Sequence, residues 1–245
     1  MNDKIQSILH TILYYVSVPK CVLCNERLDR DDQGLCKSCR KTYDEHKTEN
    51  CSKCSEILSR CSCANAYLIK NKVKQHYKLF RYRNKELSAP GNHLIYSLKR
   101  ENREDVVDFL SEELSTLLHQ NFNIKGNYIL TNIPRRKKSI IKYGFDHTAM
   151  LAEAISKKTG ILYVSFLKSL NKKDQKKTSG KERLKNVKFA FKNKHLDKAT
   201  GKSIIIVDDV VTTGASIANA ASILKSYGAK EIIALTVASA YKDDQ

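Results

Sequence analysis

All eight cysteines of this 245-residue chain fall between Cys21 and Cys63, and they come in closely spaced pairs. Cys21-x2-Cys24 is followed after eleven residues by Cys36-x2-Cys39. Another eleven residues lead to Cys51-x2-Cys54, and six more to Cys61-x-Cys63. A Cys-x2-Cys turn aims two thiolates at one point, and a second pair completes a tetrahedral tetrathiolate site for zinc. Disulfides would require an oxidising compartment, and an iron–sulfur cluster would favour a three-cysteine run that is missing here. The spacing therefore predicts one or two structural zinc sites. Sequential pairing groups Cys21, Cys24, Cys36 and Cys39, then Cys51, Cys54, Cys61 and Cys63. The equal gaps also permit a cross-braced pattern. Few large apolar residues accompany the cysteines, so metal is expected to provide most of the folding energy of this segment.

The expected organisation is a helix and cysteine-rich zinc-binding module over residues 1–66, then one larger domain over 67–245. The larger domain opens with a bridging segment of about 64–105, rich in Lys, Arg and Tyr. Residues 4–18 space Ile5, Ile8, Leu9, Ile12, Leu13 and Val16 along one helix face. That run is shorter than the ~20 apolar residues of a membrane span, and no cleavage motif follows it. The expectation is a cytoplasmic protein without a transmembrane segment. No repeat is apparent.

Beyond Asp105, helical and strand patterns alternate. A helix is expected around 106–118, strands at 128–133, 161–167, 203–207 and 231–238, and helices at 149–158 and 215–227. Strands alternating with helices of this length predict an α/β fold with a doubly wound parallel sheet.

The sharpest motif is Ile204-Ile205-Ile206-Val207-Asp208-Asp209-Val210-Val211-Thr212-Thr213-Gly214-Ala215-Ser216. An apolar strand delivers two carboxylates to its carboxyl edge, where ligands of open α/β sheets bind. Hydroxyl residues and a glycine then open a helix, whose N–H groups suit a phosphate monoester. Two carboxylates for vicinal hydroxyls and a cradle for one phosphate suit a 5-phosphoribosyl group. A plain strand end with a Thr cap would explain one Asp and one Thr, not the ordered set. A Walker-type loop lacks its lysine and glycine spacing here.

This string resembles the signature of type I phosphoribosyltransferases. The resemblance implies that Asp208 and Asp209 contact the ribose hydroxyls of phosphoribosyl pyrophosphate. It further implies that Thr212, Thr213, Gly214, Ala215 and Ser216 wrap its 5′-phosphate, and that Mg²⁺ bridges pyrophosphate and ribose. With the cysteine module, the Tyr143-Gly144-Phe145-Asp146-His147 segment and Arg183-x2-Asn186-Val187, the chain resembles the ComF/GntX family. That family usually has Arg-Gly-Phe-Asn-Gln where this chain has residues 143–147. The resemblance implies a competence protein of natural transformation, handling incoming single-stranded DNA on the cytosolic side, peripheral to the inner membrane and its DNA-uptake machinery.

Charge agrees with a polyanionic partner. The chain has 44 Lys and Arg against 26 Asp and Glu, a net charge of +18. Arg135, Arg136 and Lys137 follow a strand where a related fold binds pyrophosphate. Residues 168–202 carry thirteen Lys or Arg against three acids, with Lys172, Lys173, Lys176, Lys177 and Arg183 as candidate contacts to DNA phosphates. A solvated surface is the competing reading of such runs. Tyr77, Tyr82 and Tyr96 read as packing residues in preference to base-stacking platforms. No residue stands out as a general base, and nothing after the last strand could read a nucleobase. Phosphoribosyl pyrophosphate is therefore expected as a bound ligand, with a catalytically active phosphoribosyltransferase of nucleotide salvage as the alternative.

Overall fold

In the computed structural model, the described residues are 19–29, 31–82, 89–122, 127–170 and 189–240. The helix expected over 4–18 lies outside them, as do Lys172, Lys173, Lys176, Lys177 and Arg183.

The central sheet has four parallel strands in the order β1-β6-β5-β2: β1 (Gln75–Arg81), β2 (Tyr128–Asn132), β5 (Ser203–Val211) and β6 (Glu231–Ser239). Near-continuous apolar runs such as Ile204–Val207 are buried on both faces, as parallel strands covered on two sides require. On one face lie α1 (Lys37–Lys47), α3 (Pro90–Arg100), α4 (Glu104–Asn121) and α6 (His147–Thr159), packed on Ile205, Val207, Ile233 and Leu235. On the other lie α2 (Ala66–Lys70), α8 (Ala215–Ser226) and the antiparallel pair β3 (Leu167–Ser169) and β4 (Phe189–Phe191), packed on Ile204, Ile206, Ile232 and Ala234. Two short helices, α5 (Lys137–Tyr143) and α7 (Leu196–Ala199), and a 3-10 turn at Asn193–His195 complete the described elements. The structure thus has the expected α/β architecture, a parallel sheet covered on both faces, with a cysteine-rich amino-terminal region.

From β2 the chain crosses through α6 to Tyr163, which bridges Leu130 in parallel. From β5 it crosses through α8 to β6 in the opposite direction. Strand order therefore reverses between β2 and β5, and the crevice at their carboxyl ends is where a ligand site is favoured.

Three expectations change in detail. The strand expected at 161–167 divides into the Tyr163 bridge and β3. β5 runs four residues past Val207, because Asp208, Val210 and Val211 still pair with β6. The bridging segment contains β1, an edge strand of the main sheet. The cysteine region also repeats itself. In Pro19–Leu28 and Glu49–Leu58, thirty residues apart, the same backbone contacts recur: Cys21 N to Glu26 O (2.7 Å) and Cys51 N to Glu56 O (2.8 Å), then Asn25 N to Cys21 O and Ser55 N to Cys51 O (both 2.9 Å). Leu28 N to Pro19 O and Leu58 N to Glu49 O follow suit, as do the bridges Lys20–Arg27 and Asn50–Ile57. Asn25 and Ser55 both take positive φ, +63° and +61°. The two copies share only Cys, Cys, Glu and Leu, too little for the sequence to display.

Candidate functional site

The cysteines gather as two sequential tetrads, Cys21, Cys24, Cys36 and Cys39, and Cys51, Cys54, Cys61 and Cys63, the Sγ atoms of each within 4.8 Å of one another. The cross-braced pattern is not formed. Each tetrad takes its first pair from one repeated turn. The first takes its second pair from the start of α1, where Cys36 is the N-cap. All eight are free, and Cys24 Sγ lies 3.7 Å from Cys36 Sγ. Zinc–thiolate bonds of about 2.3 Å set tetrahedral sulfurs about 3.8 Å apart, so the donor set and spacing fit zinc. Four sulfurs would leave no open position on a bound zinc, so a metal held by either tetrad would be structural. Metal analysis of freshly reduced protein should give two zinc per chain. A value of one or none would show that a tetrad does not bind.

The second locus is the crevice itself. A cavity of about 440 Å³ is lined by Arg135 and Arg136 from the β2–α5 loop, Lys137 from the start of α5, His147 and Thr148 from α6, Asp208 and Asp209 from β5, and Ser216 from α8. The strand-end carboxylates and the basic loop expected to hold pyrophosphate thus face one space. Successive residues of a strand point to opposite faces, and the two aspartates divide accordingly. Asp209 is 7% exposed, and its Oδ2 meets His147 Nε2 at 2.7 Å and Lys99 Nζ at 3.0 Å. Burial works against its charge, but the His147 hydrogen bond and the Lys99 ammonium outweigh it and hold its pKa at about 2. Asp208 is partly buried and accepts the Asp209 N–H at 2.9 Å. Burial, then the neighbouring Asp209 charge, push its pKa well above the usual carboxylate range.

A carboxyl group raised in this way costs stability when ionised. Stability from Asp208 is greatest at low pH and falls as pH rises from the unfolded pKa through the folded one. Asp208→Asn should therefore raise the melting temperature at neutral pH by a few degrees, on the scale of ~2–4 °C per kcal/mol for a domain of this size. A lowered melting temperature would show that the ionised carboxylate is stabilising.

The basic loop is built more rigidly than its sequence suggests. Asp146 caps α6 through Ala149 N, and its other oxygen accepts the Arg135 N–H at 2.9 Å. Thr148 Oγ1 donates to Ile133 O at 2.7 Å. The Arg135 guanidinium donates to Phe145 O and Lys99 O, at 3.2 and 2.7 Å, and lies over the Tyr143 ring at 4.5 Å. Arg135 therefore acts as scaffold, and Arg136, Lys137 and Lys138 are the exposed cations at the mouth. Tyr143, Asp146 and His147 are the residues that hold this loop and Asp209.

The turn after β5 is set by Gly214, whose φ is +84°. Ala215 N donates to Thr213 Oγ1 at 3.3 Å, and Asn65 Nδ2 reaches Thr213 O at 3.4 Å. Leu68 of α2 packs so tightly against Gly214 that a Cβ there would meet it at 2.9 Å. Of the expected phosphate-loop residues, Ser216 lines the cavity, whereas Thr212 to Ala215 form the turn beside it. Lys99 and His147 were not legible as partners of Asp209, because only tertiary packing brings α3 and α6 to that strand end. Tyr77 is buried against Phe122, and Tyr96 is 53% exposed beneath Arg100. Among the described residues, no helix is long and apolar enough to cross a membrane.

Sequence comparison with known proteins agrees with this architecture. The phosphoribosyl transferase domain model matches residues 148–244. Competence protein ComFC of Streptococcus pneumoniae is 24% identical over 237 residues, covering 87% of this chain and 96% of that protein. Competence protein ComFC of Bacillus subtilis is 22% identical over 223 residues, covering 85% and 89%. A solved structure of glutamine phosphoribosylpyrophosphate amidotransferase from B. subtilis aligns with a TM-score of 0.39 at 18% identity, over 58% of this chain and 30% of that one.

Proposed function

The chain is a ComFC-like protein with a phosphoribosyl transferase domain, and on that premise we propose that it serves natural transformation by binding phosphoribosyl pyrophosphate with Mg²⁺ and handling incoming single-stranded DNA on the cytosolic side of the membrane. The observation that carries the ligand is the one cavity shared by Asp208, Asp209, Ser216 and the Arg136–Lys137 loop. In this reading, the hydroxyls and N–H groups of Thr212 to Ser216 hold the 5′-phosphate. Asp208 takes the ribose hydroxyls, and Arg136 with Lys137 balances the pyrophosphate. Asp209 is already held by His147 and Lys99, so it acts mainly by fixing the strand end against the base of the crevice. Mg²⁺ would enter with the pyrophosphate and offset the negative charge that Asp208 and the ligand share.

Net charge supports the DNA partner, as do the exposed Arg136, Lys137 and Lys138 beside the cavity. Binding to a single strand through lysines depends on counterion release, so it falls steeply with salt and ignores sequence. A titration of labelled phosphoribosyl pyrophosphate and single-stranded DNA against the full chain tests both ligands. Neutralising Lys172, Lys173, Lys176 and Lys177 together should weaken DNA binding and flatten its salt slope by roughly 0.7 for each phosphate that is no longer neutralised. Affinity for phosphoribosyl pyrophosphate should stay unchanged. DNA binding equal to wild type in that variant would remove those lysines from the DNA site. Steady pyrophosphate release in the presence of a purine or pyrimidine base would replace the binding reading with salvage catalysis.

A further inference from the structure

Lys78 sits in the middle of β1 with no exposed surface, one of the largest fully buried side chains among the described residues. An isolated ammonium in such a place is strongly disfavoured, and buried lysines are normally paired. Its Nζ has three neighbours within hydrogen-bonding reach: Cys61 Sγ at 3.4 Å, Cys63 O at 3.0 Å and His76 O at 3.5 Å. Among the described residues, no carboxylate pairs with it. Two of the three neighbours belong to the second cysteine tetrad.

The same tetrad is stitched to β1 by its backbone. Cys63 bridges Gln75 in antiparallel fashion, and His76 N donates to Ser62 O at 2.9 Å. Residues 61–63 thus shield the outer edge of a strand that would otherwise end the sheet with open hydrogen-bonding groups. A few residues on, Asn65 and Leu68 reach Thr213 and Gly214 in the turn beside the cavity.

Four thiolates around one Zn²⁺ sum to two negative charges, which is the missing partner for a buried ammonium. We propose that Lys78 is the buried counter-ion of the metal-loaded second tetrad, and that this tetrad braces the edge strand of the phosphoribosyl transferase sheet. The inference rests on zinc occupying that tetrad. With metal bound, Lys78 lowers the charge of the site and donates to a ligand sulfur, the outer-sphere support that metal sites depend on. Without metal, nothing fixes the Cys61 sulfur and the Cys63 carbonyl around Lys78 Nζ, and that loss falls directly on β1. The first tetrad joins the fold by another route, through α1.

Lys78→Met keeps the unbranched shape and most of the length of the side chain and removes the charge. In the full chain, release of zinc to a chromogenic chelator should resolve two equivalents. In Lys78→Met one equivalent should be held roughly 10–100-fold less tightly, while the other matches wild type. The melting-temperature drop on complete zinc removal should also be smaller in Lys78→Met than in wild type, because the side chain at the middle of β1 no longer depends on the tetrad for its contacts. Identical release of both equivalents in the two proteins would overturn the inference while leaving zinc binding intact. A wild-type protein holding a single equivalent, retained by a Cys54→Ser variant, would sink both the second zinc site and the brace.

Should Lys78→Met fail to fold, hydrogen exchange on the wild-type chain decides. Zinc removal should expose the amides of Gln75–Arg81 well before those of Tyr128–Asn132 on the far side of the sheet. Equal protection of the two strands after zinc removal would overturn the brace.

Discussion

If the crevice holds phosphoribosyl pyrophosphate as proposed, replacing Gly214 by Val should lower that affinity more than 100-fold, beyond the loss expected from deleting any single polar contact in the crevice. Two separate obstacles meet at this residue. Its φ of +84° lies in the left-handed region that side chains other than glycine's enter at a cost of about 1–2 kcal/mol. Its Cβ would also meet Leu68 Cγ and Cδ2, both at 2.9 Å. Leu68 is fully buried in the core of the α8 face and has nowhere to retreat. The turn must therefore move, and with it the Thr213 and Ser216 hydroxyls and the N-terminus of α8. A shift of about 1 Å is enough to lose most of the affinity of a pre-arranged phosphate cradle. Gly160→Ala supplies the control: its φ is +73°, but a Cβ there meets nothing within 4 Å. That variant should lose about 1 kcal/mol of stability and no ligand affinity. Calorimetry with phosphoribosyl pyrophosphate and Mg²⁺ reads both. Wild-type affinity in Gly214→Val would exclude the turn from the site.

The segment 203–227 was legible because its signals agree at every level. An apolar β-branched run, two acids, a glycine and an amphipathic helix each specify the same strand–turn–helix. The four-residue extension of β5 was hidden because acidic residues read as a strand end, yet Asp208, Val210 and Val211 keep pairing with β6 while both aspartates line the crevice. β1 was hidden for a different reason. His76 and Lys78 interrupt its apolar run, and both are fully buried. His76 meets Thr236 at 2.7 Å, and Lys78 meets the second cysteine tetrad. Polar residues buried by long-range partners leave no local pattern, since the partner that makes them tolerable lies far away in sequence. The same holds for the crevice. Asp208 and Asp209 announce themselves, whereas Lys99 and His147 become readable only after α3 and α6 pack on the sheet. Cysteine spacing conveyed paired thiolates but left their grouping open, and it is the clustering of the sulfurs within 4.8 Å that fixes it as two sequential tetrads.

How the cysteine region joins the α/β sheet leads to the largest expected loss of stability, at Tyr43. This residue of α1 is fully buried, with its ring edge-on to Phe80 of β1 at 5.8 Å and to Phe109 of α4 at 5.2 Å. Its hydroxyl donates to Glu113 at 3.3 Å, and Glu113 also receives Arg40 at 2.7 Å and pairs with Lys47. One side chain thus links the helix that starts at the second cysteine pair of the first tetrad, the edge strand and the longest described helix. Tyr43→Ala removes an aromatic ring from a closed core, which costs roughly 3–5 kcal/mol. That is a large share of the ~5–15 kcal/mol that stabilises a typical protein. Because the ring touches elements on both sides of the proposed boundary near residue 66, the loss should appear as one transition in which zinc release and sheet unfolding coincide. Tyr43→Phe keeps the ring and gives up one partly buried hydrogen bond, so it should cost about 1 kcal/mol. Chemical denaturation followed by far-ultraviolet dichroism and by a zinc indicator separates the outcomes. If Tyr43→Ala releases zinc at low denaturant while the sheet keeps its wild-type midpoint, the cysteine region is an independent unit, and Tyr43 stabilises that unit without coupling it to the sheet.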